Sequence, residues 1–100
     1  MGVLQKLGAF KNSMAGFTYI KTFPFKSLNQ VADIQDDLRR GNILILDTLE
    51  FLSQGETAIL EFKRGLEQIR GTVRELGGSL GRLGEQYIIA TPNPHLKINS

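Results

Sequence analysis

The longest regular pattern of apolar and polar positions runs from Glu56 to Leu76. There Ile59, Phe62, Leu66, Ile69, Val73 and Leu76 recur at spacings of 3, 4, 3, 4 and 3. That period predicts one long helix with a seam of the kind a helix offers a second packed element. Beside the seam, Ala58, Gly65 and Thr72 repeat every seven residues with small side chains only, where a neighbouring backbone can approach closely. Two partners fit this surface: the domain's own sheet, or a second copy of the chain. Gly65 inside a helix costs roughly 1 kcal/mol against Ala, which close packing against a copy would offset. On that second reading Ile59, Phe62, Gly65, Leu66 and Ile69 form a homodimer interface.

The remaining pattern predicts the other elements. Phe17 to Lys26 alternates, with Phe17, Tyr19, Phe23 and Phe25 on one face and Thr18, Ile20 and Thr22 on the other, the period of a strand. Pro24 lacks a donor and puts this strand at an edge or at its end. Ser27 with Gln30 makes an S-x-x-Q capping pattern that opens a helix to Arg40, with Leu28, Val31, Ile34 and Leu38 as its buried side. Gly41 ends it. The continuous run Ile43-Leu44-Ile45-Leu46 predicts a strand covered on both faces. Asp47 to Gly55 reads as a loop, and Gly77-Gly78 stops the long helix. Leu80 to Leu83 and Gln86 to Thr91 form a hairpin about Gly84-Glu85. Thr91-Pro92-Asn93-Pro94 is a stiff exit, and Leu96 to Asn99 fits a short edge strand. The class is α/β: a small two-layer sandwich of βαβαββ order, its mixed sheet packed by two helices.

Ahead of this core, Met1, Val3, Leu4, Leu7, Phe10 and Met14 fall near one side of a helix, and Gln5, Lys6, Asn12 and Ser13 largely on the other. A short amphipathic helix lying in a membrane interface has this form, with lysines near the headgroups. Met1, Val3, Leu4, Lys6, Leu7, Phe10 and Lys11 are then the membrane-binding residues. A helix folded back on the domain, or a frayed tail, fits the same residues, and Gly2 and Gly8 weaken helix formation. Lys6 stands where myristoylation of Gly2 would want Ser or Thr. The domain reading is residues 1–16 as a membrane-targeting helix with a short linker, and 17–100 as the core.

Charge sharpens the contrast between these parts. Residues 1–32 hold Lys6, Lys11, Lys21 and Lys26 and no acid, whereas all ten carboxylates lie between Asp33 and Glu85. A basic arm on a mildly acidic body faces a polyanion, either an anionic membrane surface or nucleic acid. One hundred residues suit a single domain that gains from dimerisation. The chain has no cysteine, so no disulfide frame, which fits a reducing compartment. No apolar run approaches the length of about 18 residues that spans a bilayer. The N-terminal apolar stretch is too short and interrupted for a secretory signal, so a cytoplasmic location is expected.

Candidate chemistry is sparse. His95 stands among prolines with no partner at ligand spacing. No Ser or Lys has an adjacent base. Asp36 and Asp37 are neighbours on a helix and point apart, and Asp47 stands alone at a strand end, where a loop or capping role suffices. The glycines between Gly77 and Gly84 lack the Lys-Ser/Thr of a phosphate loop. No enzyme activity, cofactor or metal is expected, and no ligand-specific motif marks a small-molecule sensor.

Taken in order, several segments resemble the SepF family of cell-division proteins, which tie the FtsZ ring to the membrane, and its archaeal branch in particular. They are the opening Met-Gly-Val-Leu-Gln-Lys-Leu, Leu38 to Asp47 (LRRGNILILD), Ile69 to Val73 (IRGTV), and Leu76 to Leu80 (LGGSL) continuing through Gly84 to Ile88 to Pro92 (IIATP). The resemblance implies an N-terminal membrane helix and a dimeric core that binds the FtsZ C-terminal tail near the hairpin and long helix. Such tails mix apolar and acidic residues. Arg82 is then expected to pair with a carboxylate, and Ile88, with Val73 or Leu76, to line an apolar pocket. The plainer alternative makes Ile88 core and Arg82 solvated. Bacterial members have a long linker, where this chain has only Asn12 to Gly16, and tend to carry aromatic residues where it has Gln68 and Ile88. The tail-binding surface is therefore expected to differ in detail, and bacterial-type polymerisation into rings does not carry over with the resemblance. Alba-like nucleic-acid-binding proteins share the dimeric βαβαββ plan, but they contact phosphates through a protruding basic hairpin. Here the hairpin is short, Glu85 offsets Arg82, and the basic region coincides with an apolar helical face. Lipid is favoured over nucleic acid. The expected place is peripheral, on the inner face of the cell membrane at the division site.

Overall fold

The computed structural model describes residues 19–94. They form β1 (Ile20–Pro24), α1 (Val31–Arg39), β2 (Ile43–Asp47), α2 (Leu49–Leu52), α3 (Glu56–Leu76), β3 (Ser79–Leu83) and β4 (Tyr87–Thr91), with a 3-10 turn at Leu28–Gln30 leading into α1. The α/β class and the order expected from the pattern are both found. The membrane-binding candidates Met1, Val3, Leu4, Lys6, Leu7, Phe10 and Lys11 lie outside the described residues, as do His95 and the segment from Leu96 to Asn99.

One mixed sheet has the order β1-β2-β4-β3. β1 runs parallel to β2, while β4 is antiparallel to both β2 and β3. Pro24 ends β1 at the edge of the sheet, as its missing donor favours. Ile20 pairs with Ile43 at the start of β2, so the chain enters β1 at one end of the sheet. The hairpin turn lies at the opposite end. There the Thr48 amide and hydroxyl both donate to the Gln86 carbonyl, at 2.9 and 2.7 Å.

The two longer helices, α1 and α3, pack on one face. Leu44, Leu46, Ile88 and Ala90 point toward them and join Ile34, Leu38, Ile69 and Val73 in the core. Ile43, Ile45 and Ile89 point the other way and are only half-buried, with no layer of described residues over them. The expectation that β2 is covered on both faces is thus corrected: its apolar run serves a full core on one side and an open apolar face on the other.

α1 begins as the Ser27–Gln30 pattern predicts. Gln30 Oε1 accepts from the Ser27 amide at 3.0 Å, while the Ser27 hydroxyl turns to Asn29 Oδ1. Val31, Ile34 and Leu38 are buried, and Leu28 packs beside them. Asp37 is also buried. It accepts from Lys21 Nζ at 2.9 Å and from Asn42 Nδ2 at 3.3 Å, tying α1 to β1 and to the turn before β2.

α3 spans the residues its period predicts. Its small stripe is spent inside the chain: a Cβ at Gly65 would meet Leu28, Phe25 and Val31 at 3.1–3.3 Å. Ala58 and Thr72 are buried on the same side, and Thr72 Oγ1 accepts from Gln35 Nε2 at 3.0 Å. The segment read as a loop before α3 contains the one-turn helix α2, fixed by Phe51. That ring is buried edge-on against Phe25 at 5.0 Å and Phe62 at 5.4 Å.

Candidate functional site

A cleft between α3 and the β3–β4 hairpin is the candidate site. Its position follows from chain reversal. α3 rises about 1.5 Å per residue and a strand about 3.3 Å, and Gly77–Gly78 sends the chain back along the helix. Four strand residues past Gly78 therefore bring Arg82 level with α3 roughly nine residues before Gly77, between Leu66 and Arg70. The reversal itself needs both glycines. Gly77 has φ +79°, and Gly78 lies so close to the Thr91 carbonyl that a side chain there would overlap it.

The cleft has a volume of about 560 Å³. Phe62, Leu66 and Arg70 line one wall, and Leu80, Arg82 and Ile88 the other. Leu52, Thr48, Tyr87 and Glu85 close the end near the hairpin turn. That end is pinned by Thr48 on Gln86 and by Gln86 Nε2 donating to Asp47 Oδ1 at 3.0 Å. Asp47 Oδ1 also accepts from the Leu49 amide at 3.1 Å, which makes Asp47 the loop-and-capping carboxylate expected of it.

The two arginines differ in their surroundings. Arg70 Nε donates to Glu67 Oε2 on its own helix at 3.3 Å, with Glu67 mostly in water and Arg70 partly so. Arg82 has no carboxylate at ion-pair distance among the described residues, so Glu85 does not neutralise it directly. The result is an apolar trough with a cation on each wall. That arrangement is chemically suited to a segment mixing apolar and acidic side chains, because the trough could bury the former while guanidinium groups can pair with carboxylates in a fixed plane.

The structure redistributes the candidate residues. Arg82 and Ile88 do share the cleft, but Ile88 is 7% exposed and also belongs to the core. Val73 is buried in the core and Leu76 packs against it, so neither lines the cleft. They sit too near the C-terminal end of α3 to face Arg82. Of the candidate dimer residues, Ile69 is fully buried and Gly65 faces the chain's own Leu28 and Phe25. Phe62 and Leu66 line the cleft. Ile59 remains on the surface at 37% exposure. Arg70 was not singled out by the sequence, although helix rise against strand rise, counted back from Gly77, would have found it. Among the described residues no three His, Cys, Asp or Glu side chains gather to hold a metal, and no helix is long and apolar enough to cross a membrane.

The family model of the cell division protein SepF matches residues 20–94, from β1 through both walls of the cleft. Two solved archaeal structures share the fold. The SepF-like protein from Archaeoglobus fulgidus has a TM-score of 0.71 at 28% identity, covering 80% of this chain and 90% of that one. The SepF-like protein from Pyrococcus furiosus has a TM-score of 0.63 at 26% identity, covering 82% and 94%. No curated protein sequence matches the chain. A family match that takes in every described strand and helix, with two relatives superimposing over four-fifths of the chain, leads to one conclusion: the chain belongs to the SepF family of cell-division proteins.

Proposed function

We propose that this protein links FtsZ filaments to the inner face of the cytoplasmic membrane at the division site. The N-terminal amphipathic segment binds anionic lipid, and the cleft binds the FtsZ C-terminal tail. The observation that carries the reading is the apolar trough with Arg82 on its wall and, among the described residues, no carboxylate at ion-pair distance from it. A tail of apolar and acidic residues supplies what that wall lacks. Two copies work together and meet through the open face of the sheet, where Ile20, Ile43, Ile45 and Ile89 present an uncharged surface to their own likeness. A two-fold contact sets identical patches face to face, so a patch without charge meets no repulsion.

Burying one large apolar side chain is worth roughly 1.5–3 kcal/mol, and interfacial insertion is partial. A single arm therefore binds reversibly, and several arms along one filament hold firmly. The test separates the two activities in one sample. Phe10→Glu, or Leu7→Glu, abolishes co-sedimentation with anionic vesicles and leaves calorimetric binding of a synthetic FtsZ tail unchanged. Arg82→Glu does the reverse, with a shallower loss of tail affinity on adding salt than wild type shows, because an attractive pair has gone. Wild-type protein that ignores both vesicles and tail would refute the proposal.

A further inference from the structure

We infer that Arg70 is a second carboxylate-reading residue of the cleft and that Glu67 competes with the ligand for it. The inference rests on the tail-binding reading of the cleft and adds to it a rule for which tails bind.

Arg70 and Arg82 stand on opposite walls, one on α3 and one on β3. Their states without ligand differ. Arg82 has no carboxylate partner among the described residues, whereas Arg70 is paired through Nε with Glu67 at 3.3 Å. That pair is shallow: the Arg70 side chain is 40% exposed and that of Glu67 69%. Exposed pairs three residues apart on a helix contribute little, because water screens them and two long side chains must be held still. A carboxylate entering the trough meets Arg70 on a wall shared with Leu66 and Phe62, where less water screens the attraction. Glu67, being mostly exposed, rehydrates readily when released.

The exchange has a chemical consequence. A segment with one acidic side chain engages Arg82 alone and leaves the Glu67–Arg70 pair in place. A segment with two, spaced to reach both walls, displaces Glu67 as well. The cleft thus selects for paired acidic residues flanking an apolar stretch, and Glu67 sets the threshold by occupying Arg70 when the second acid is absent. Glu85, which also lines the cleft, acts in the same direction by repelling acidic segments at the turn end.

Calorimetry on the full chain tests this, using a synthetic FtsZ tail and variants in which each carboxylate side chain is replaced in turn by its amide. Arg70→Gln is expected to lower affinity about tenfold, and Glu67→Gln to raise it about threefold, as loss and gain of a partly desolvated charge pair imply. In Arg70→Gln one amide replacement in the tail becomes silent, and it is a different replacement from the one silenced in Arg82→Gln. Thermal unfolding verifies that both variants keep the fold. If wild type binds the tail but neither Arg70→Gln nor Glu67→Gln changes affinity, the inference is overturned and the tail-binding reading stands. If both arginine variants silence the same carboxylate, the two-acid rule is wrong. If wild type does not bind the tail, the reading falls and the inference with it.

Discussion

Two glycines seven residues apart in or just after α3 show how differently the same residue type can be used. Gly71 sits in the helix with nothing within 4 Å of the place a Cβ would take. Gly78 lies against the Thr91 carbonyl, and the Asn93 amide is 3.1 Å from its missing Cβ. Gly71→Ala should stabilise by roughly 0.5–1 kcal/mol through helix propensity, a rise of about 2–8 °C in Tm for a domain of this size. Gly78→Ala should destabilise by about 3 kcal/mol or more, because backbone rather than a movable side chain is in the way. Thermal unfolding of the two variants side by side checks both signs. The sequence revealed that Gly77-Gly78 ends a helix, but not why two glycines are needed. The second answers to Thr91, a neighbour only after the hairpin has closed. Asp37 is similar: its place on a helix is legible, whereas its partners Lys21 and Asn42 come from other elements.

At the scale of elements, α3 divides along its length. Ile69 and Val73 are core, while Phe62 and Leu66, on the same heptad seam, face the cleft. The period showed one seam because period reports facing and not what is faced. Its two halves lie over different parts of the hairpin. The same limit hid α2, since a single turn has no period to read, although Phe51 anchors it as firmly as any core residue. Gly65→Leu brings this to a test. Its Cβ would already press on Leu28, Phe25 and Val31, so the larger side chain should destabilise the protomer by roughly 1–3 kcal/mol or more. The urea midpoint should fall at every protein concentration. A midpoint unchanged when dilute, with a shift only from two copies to one, would place Gly65 at a contact between copies instead. Gly65→Ala should be milder than Gly65→Leu, because its single added carbon meets side-chain atoms of Leu28, Phe25 and Val31 at 3.1–3.3 Å and no backbone.

For the whole molecule the question is what covers the uncovered side of the sheet. Ile45 sits at its middle, between Thr22 on β1 and Ile89 on β4. Ile45→Lys should leave the fold intact, because a half-buried position lets the amine reach water along its own stem. It should also convert a two-copy particle to one copy in sedimentation. A dimer that survives the change would move the contact to another surface, with Ile59 on α3 the first to try. The layered class and its order were legible because each element carries its own period. Which faces remain open was not, since β2 is equally apolar on both sides and only the helix connections decide which side is roofed.

The two ends of the sheet have a mechanical meaning if the arm holds lipid and the cleft holds a filament. Tension would enter where the chain joins β1, beside Ile43, and leave near the hairpin turn at the far end of β2. The pull then runs along the strands. Rungs from Ile43 N to Tyr19 O at 2.8 Å and from Phe25 N to Asp47 O at 2.9 Å bracket the β1–β2 ladder. Loaded in shear, these bonds share the force at once, whereas a pull across the strands would open them one by one. The parallel pairing of the edge strand thus makes the junction a lap joint, whose resistance to rupture follows the direction of pulling and not the melting temperature.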